Sequence, residues 1–263
     1  MDDATVRLDT DARGVATLTL DRAEKHNAMS GQMIGELTDM AARIARTDSI
    51  RVVVLAAEGR SFCAGGDLGW MRDQMDADAE TRRAEATRLA RMLQALNTLP
   101  QPLIGRVQGN AFGGGVGLMS VCDVVVGAAG AKFGLTETRL GLIPATISPY
   151  VLARMGEARA RRVFMSARVF GADEARDLGL IARVVENGQL DGAVEAEVAP
   201  YLYCAPGAVA DAKRLARMLG PRIDEAVIAE TVELLVRRWE GAEAPEGIAA
   251  FFDKRKPRWQ AEG

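Results

Sequence analysis

Two glycine-rich segments constrain this chain more than any other feature. Each follows a short, continuous apolar run. Arg51–Ala56 (RVVVLA) leads into Arg60–Leu68 (RSFCAGGDL), and Leu103–Val107 (LIGRV) leads into Gly109–Leu118 (GNAFGGGVGL). Apolar runs of this kind read as strands buried on both faces, as in a parallel sheet. Glycine just behind such a strand lets the backbone approach a ligand, and a helix that starts there presents free N–H groups. One glycine pair could be only a tight turn. Two such loops behind two parallel-type strands point to a shared role. Neither loop contains G-x-G-x-x-G or G-x-x-x-x-G-K-[ST], so neither a dinucleotide fold nor a phosphate loop is expected. Two N–H groups aimed at one carbonyl oxygen would instead hold the charge of a thioester enolate, where one donor is worth about 2.7–4 kcal/mol.

The rest of the chain reads as α/β followed by helices. Val6–Leu8 and Val15–Leu20 are expected strands joined by a turn at Asp9–Gly14. Ser30 is an expected N-cap for the helical pattern Met33, Ile34, Leu37, Met40, Ala41, Ile44. Asp78–Leu99 reads as a long helix stopped by Pro100 and Pro102, with Asp76, Asp78 and Glu80 at its acidic start. Gly113–Cys122 is a further helix, and Val124–Gly127 and Lys132–Phe133 are strands. Beyond Pro149, helices are expected at Met155–Phe164, Ala172–Leu178, Leu190–Tyr203, Gly207–Leu219, Ile223–Arg238 and Pro245–Lys254. Ile181–Val185 is the one strand expected there. The strand–strand–helix rhythm suggests a solenoid-like coil. The expected organisation is a core over residues 1–200 and a helical region over 201–263.

Composition removes several kinds of chemistry. There is one histidine, His26, and three well-separated cysteines, Cys63, Cys122 and Cys204. That set is too sparse for a zinc site, and a nucleophile–His enzyme would depend wholly on His26. A net charge of −3 gives no basic field for nucleic acid. No apolar stretch reaches the roughly 20 residues of a membrane span. Unpaired cysteines and an acidic N-terminus without an apolar segment make the cytoplasm the expected compartment.

Five stretches together resemble the crotonase, or enoyl-CoA hydratase/isomerase, family. They are Glu24–Ala28 (EKHNA), Phe62–Leu68 (FCAGGDL), Gly109–Asp123 (GNAFGGGVGLMSVCD), Lys132–Pro144 (KFGLTETRLGLIP) and Glu246–Lys256 (EGIAAFFDKRK). The resemblance implies a spiral of ββα units with a C-terminal helical region that builds a homotrimer or a hexamer of paired trimers. It implies a coenzyme A thioester as substrate, with CoA as acyl carrier and no prosthetic group or metal. The oxyanion hole would be the N–H groups of Gly66 and Gly114. Lys25, Ala28, Ala64, Gly65, Asp67 and Leu68 would line the acyl-CoA pocket, with Phe251 and Lys254 from the tail. Asp67 is equally a cap or loop brace on its own chemistry.

The sequence departs from the family at one decisive place. Family hydratases use two glutamates twenty residues apart to activate water. The second corresponds to Glu137; the first falls on Gly117. One acid–base group, commonly worth about 10²–10⁴ in rate, is missing. The GGGVGL motif and the later IPATISPY resemble glutaconyl-type hydratases such as those for 3-methylglutaconyl-CoA. In those the substrate's extra carboxylate would fill or organise the vacated space. A Δ3–Δ2 enoyl-CoA isomerase using Glu137 alone and a catalytically weak acyl-CoA-binding homologue are the other readings. Arg139 could hold a carboxylate. Thr138 is expected to be scaffold, Tyr150 a packed aromatic, and Cys63 and Cys122 buried small hydrophobes.

Overall fold

A computed structural model describes residues 4–260. Strands β1 (Val6–Thr10) and β2 (Val15–Leu20) form an antiparallel hairpin. Helix α1 (Gly31–Ala45) then starts at Ser30, whose hydroxyl accepts the Met33 N–H at 3.2 Å, and it buries Met33, Ile34, Leu37, Ala41 and Ile44. These are the expected periodic positions apart from Met40, which is half-buried, and each large aliphatic among them contributes roughly 1.5–3 kcal/mol by burial.

Three successive turns of chain then repeat one plan. The first is β3 (Val52–Ala57), β4 (Ser61–Cys63), α2 (Leu68–Asp76) and α3 (Ala79–Asn97). The second is β5 (Leu103–Val107), β6 (Asn110–Phe112) and α4 (Gly114–Ser120). The third is β7 (Val124–Ala128), β8 (Lys132–Gly134), a 3-10 turn at Glu137–Leu140, and α5 (Ser148–Met155). The first strand of each turn joins a six-stranded sheet of order β1-β2-β3-β5-β7-β10; the second joins a four-stranded sheet of order β4-β6-β8-β9. Strands β3, β5 and β7 lie parallel side by side, as do β4, β6 and β8. That is the spiral of ββα units the repeating rhythm suggested. α6 (Glu157–Phe164), β9 (Phe170–Gly171), α7 (Ala172–Asp177), β10 (Arg183–Val185) and α8 (Leu190–Val198) complete this part. α9 (Pro206–Leu219), α10 (Glu225–Glu240) and α11 (Glu243–Phe252) follow.

Several expected boundaries move for identifiable reasons. Pro149 does not end a region; it sits in the first turn of α5, where its missing N–H costs nothing. Gly156, at φ 75°, separates α5 from α6, so the expected helix Met155–Phe164 begins at Glu157. Pro200 tightens the expected Leu190–Tyr203 helix into a 3-10 turn at Ala199–Tyr203. Lys254 lies beyond the end of α11, at φ 54°. The short strands β4, β6 and β9 were not expected. Two or three residues are too few to show a period, and only their neighbours in the sheet define them.

The core lies between the spiral's sheets and helices, with Phe62, Phe133, Tyr150, Leu93 and Leu96 among its fully buried side chains. Cys63 and Cys122 are buried and free, and burial pushes both thiols up to about 12. Helices α10 and α11 fold back over α2 and the Glu137–Leu140 turn, where Trp239, Ala244 and Ile248 pack on Met71 and Leu142. Arg238 donates to Gly141 O across this junction at 2.9 Å. Among the described residues no helix is long and apolar enough to cross a membrane.

Candidate active site

The two glycine loops open at one cavity of about 490 Å3. Its lining includes Ala64, Gly65, Gly66 and Leu68 from the first loop, Gly113 and Gly114 from the second, and Glu137 from the third turn of the spiral. Parallel pairing of β4 with β6 and of β6 with β8 aligns the three segments, so the cavity is a product of the repeat.

The first loop is held by main-chain bonds. Met29 N donates to Gly65 O at 2.8 Å, and Asp67 N donates to Met29 O at 3.0 Å. These bonds bracket Gly66 and leave its own N–H outside the pairing. The reversal requires Gly65 at φ 99°, a region L side chains avoid. Asp67 then caps α2, its Oδ1 accepting the Gly69 and Trp70 N–H groups at 2.8 and 3.1 Å. Its Oδ2 accepts from Arg22 at 2.7 Å. Burial alone would raise the Asp67 carboxyl, but Arg22 and the capping N–H groups outweigh it and hold the group low. Gly114 is the first residue of α4, so its N–H has no intrahelical acceptor. Gly113 before it stands at φ 49°. A Cβ on Gly114 would overlap the terminal methyl of Met29, so a larger residue there would have to displace the end of that side chain.

Glu137 is the one carboxylic acid in the cavity lining, which is otherwise mostly apolar and includes Met29, Ile34, Leu89, Leu142 and Ile147. Its Oε2 is buried with no hydrogen-bond partner. Desolvation outweighs the residue's own N–H and pushes the carboxyl up to about 7. At neutral pH it can therefore both accept and donate a proton.

At Gly117 the space is filled. A Cβ there would overlap the Cγ2 methyl of Ile147 and lie 3.0 Å from its Cβ. The position where the resemblance expects the other glutamate is thus occupied by an isoleucine from the segment before α5.

The residues assigned to acyl-CoA binding divide. Ala64, Gly65, Leu68 and Phe251 line the cavity; Lys25, Ala28, Asp67 and Lys254 do not. Lys25 ends an exposed 3-10 turn, and Ala28 O accepts from Arg22 at 3.0 Å. The loop is fixed by its neighbour Asn27, fully buried, which donates to Glu58 O and Ser61 O. His26 lies outside the cavity lining, with Nδ1 3.2 Å from Ser61 Oγ. Thr138 donates to Met165 O and is scaffold; Tyr150 is 1% exposed and packed. Arg139 borders the cavity and makes no ion pair among the described residues.

Met29, Trp70, Leu235 and Trp239 also line the cavity, and sequence patterns did not identify them. Trp70 is held by Nε1–H donation to Glu85 at 3.2 Å. Leu235 and Trp239 belong to α10, whose apolar stripe is visible in the sequence but whose target is not.

Comparison with known proteins bears on the same residues. The family model for "Enoyl-CoA hydratase/isomerase" matches residues 10–262. The chain belongs to the enoyl-CoA hydratase/isomerase family. Among its relatives, a protein named putative enoyl-CoA hydratase from Thermus thermophilus is 31% identical over 247 residues, 93% of this chain and 97% of that one. A mitochondrial methylglutaconyl-CoA hydratase of Mus musculus is 30% identical over 268 residues, 97% of this chain and 82% of that one. Among solved structures, an enoyl-CoA hydratase from Shewanella pealeana superposes with a TM-score of 0.80 at 38% identity, covering 97% and 96% of the two chains. Pseudomonas aeruginosa AtuE gives 0.79 at 37% identity, covering 97% and 99%. In this family member, then, the spiral carries a cavity with one carboxyl group where the resemblance expects two.

Proposed function

We propose that this protein hydrates 2-enoyl-CoA thioesters, with Glu137 as its acid–base group and the N–H groups of Gly66 and Gly114 as the oxyanion hole. The observation that carries the reading is a buried, unpaired carboxyl, raised to about 7, in the same cavity as two free glycine N–H groups. Water adds through its oxygen to C3 of the acyl chain as Glu137 takes its proton. The C2–C3 π electrons move toward the thioester, and the oxygen that gains charge accepts from the two N–H groups. Glu137, now protonated, gives its proton to C2. The net change is addition of one water, and the carboxylate returns to its first state. CoA serves as the handle that binds the acyl chain. Family resemblance puts its path near Lys25, Ala28, Asp67 and Lys254.

The relative named methylglutaconyl-CoA hydratase supports including 3-methylglutaconyl-CoA among the substrates, and Arg139 would give its distal carboxylate a cation. The single carboxyl group also suits proton transfer from C4 to C2, the 3-enoyl to 2-enoyl isomerisation. A panel of crotonyl-CoA, 3-methylglutaconyl-CoA and 3-hexenoyl-CoA, followed by absorbance of the conjugated thioester, separates these readings. Hydration of either 2-enoyl thioester supports the proposal. Turnover of 3-hexenoyl-CoA alone would overturn it in favour of the isomerase. Binding of all three without turnover would reduce the protein to an acyl-CoA-binding homologue.

We further propose a homotrimer, alone or paired into a hexamer. Helix α9 buries none of its residues within the chain, and Leu215, Met218 and Leu219 are exposed by 52%, 67% and 76%. Three free cysteines suit a reducing compartment such as the cytoplasm.

A further inference from the structure

A hydratase must hold the attacking water in place as well as take its proton, and Glu137 is the one carboxyl group lining the cavity. Space for a second carboxylate at position 117 is closed by Ile147. The residue next to that isoleucine is Thr146. It borders the same cavity and is 5% exposed. Its hydroxyl has no hydrogen-bond partner among the described residues. A hydroxyl without a protein partner at a cavity wall is free to donate to and accept from a bound water. The backbone around it is fixed. Ser148 donates through N–H and through Oγ to Ala145 O at 3.1 and 2.6 Å, and Ile147 O accepts from Tyr150 N and Val151 N. Thr146 therefore sits on a rigid corner at the N-terminus of α5, beside the residue that fills the place of the missing carboxylate.

We propose that Thr146 is the second water-holding group of this site, its hydroxyl orienting the water whose proton Glu137 takes. It is a positioning residue, since it transfers no proton to substrate. The proposal rests on the hydratase reading. It also explains how a chain with glycine at position 117 keeps a polar partner for water: the partner comes from the third turn of the spiral, not from α4.

The test compares Thr146→Val, which removes the hydroxyl and keeps the shape, with Thr146→Ser, which restores it. Two reactions are followed with the full chain. One is hydration of the best 2-enoyl-CoA. The other is exchange of the C2 protons of a saturated acyl-CoA with deuterated solvent, which needs Glu137 and the oxyanion hole but no oriented nucleophile. Thr146→Val is expected to lower kcat for hydration by roughly tenfold to a hundredfold, the range set by one hydrogen bond to a polarised group, with KM little changed. Thr146→Ser should recover most of it, and the exchange rate should stay within about twofold of wild type. Equal losses in hydration and exchange would mean a structural role and overturn the assignment. So would a loss seen with Thr136→Val, on the other threonine bordering the cavity, and not with Thr146→Val. Wild type that exchanges C2 protons but hydrates nothing would overturn the hydratase reading itself, and this proposal with it.

Discussion

At the residue scale the proposed site depends on one carboxyl group and on the backbone N–H groups of two glycines. Glu137→Gln keeps the shape and removes the acid–base group, so turnover should fall by about 10²–10⁴ while acyl-CoA binding survives. Titration gives an independent check. Burial raises the Glu137 carboxyl above its ordinary value, so the folded state holds this proton more tightly than the unfolded chain does. Its penalty is absent below pH 4.5, grows as pH rises toward about 7, and then levels at up to about 3 kcal/mol. Denaturant unfolding at pH 5 and pH 8 should therefore show a smaller loss of stability at pH 8 in Glu137→Gln than in wild type. Equal losses in the two proteins would show that the carboxyl is not desolvated. Gly117→Glu should not create a hydratase of the two-glutamate kind. Its side chain would meet Ile147, with overpacking of about 1–3 kcal/mol and a buried charge besides. Crotonyl-CoA hydration is expected to stay flat or fall in this variant, and a rise would show that Ile147 moves aside.

At the element scale, the start of α2 sets half of the proposed oxyanion hole. Asp67 was assigned to substrate on resemblance, yet its two oxygens are spent on the Gly69 and Trp70 N–H groups and on Arg22. Asp67→Ala removes a cap and leaves Arg22 without its carboxylate. Stability should drop by about 1–3 kcal/mol, and kcat should fall with it because Gly66 loses its anchor. An unchanged melting temperature with a raised KM would instead restore Asp67 as a substrate contact. The sequence announced α1 and α3 because their apolar side chains recur at helical spacing, and β3 and β5 because they are continuous apolar runs. It hid β4, β6 and β9, which are too short for a period, and it did not show α5, whose first turn holds Pro149.

At the scale of the whole molecule, α10 and α11 close the site of their own chain, with Leu235, Trp239 and Phe251 in the cavity lining. Helix α9 is different. Lys213 ties it to the spiral, with Nζ 2.7 Å from Asp123 and 3.0 Å from Gln101 O, while its apolar residues remain open. Replacing Leu215 and Met218 with glutamate should convert the proposed trimer or hexamer to monomer by light scattering, leaving the fold intact by circular dichroism. Survival of the assembly would move the interface elsewhere on the surface.

Local sequence by itself pointed to an α/β spiral with two glycine-lined loops, and left carboxylates, backbone donors or a carried cofactor as the sources of its chemistry. Periodicity, glycine at strand ends and the scarcity of histidine and cysteine are properties of neighbouring residues, and they need no three-dimensional context. The tertiary structure decided what fills the space at Gly117, which hydroxyl stands beside it, and how far burial raises Glu137. Each of these is set by side chains distant in sequence: Ile147 reaches Gly117 from thirty residues away, and the lining of the cavity that holds Glu137 is assembled from α1, α3 and the loops. Packing and desolvation are sums over such neighbours, so they exist only once the chain has closed on itself.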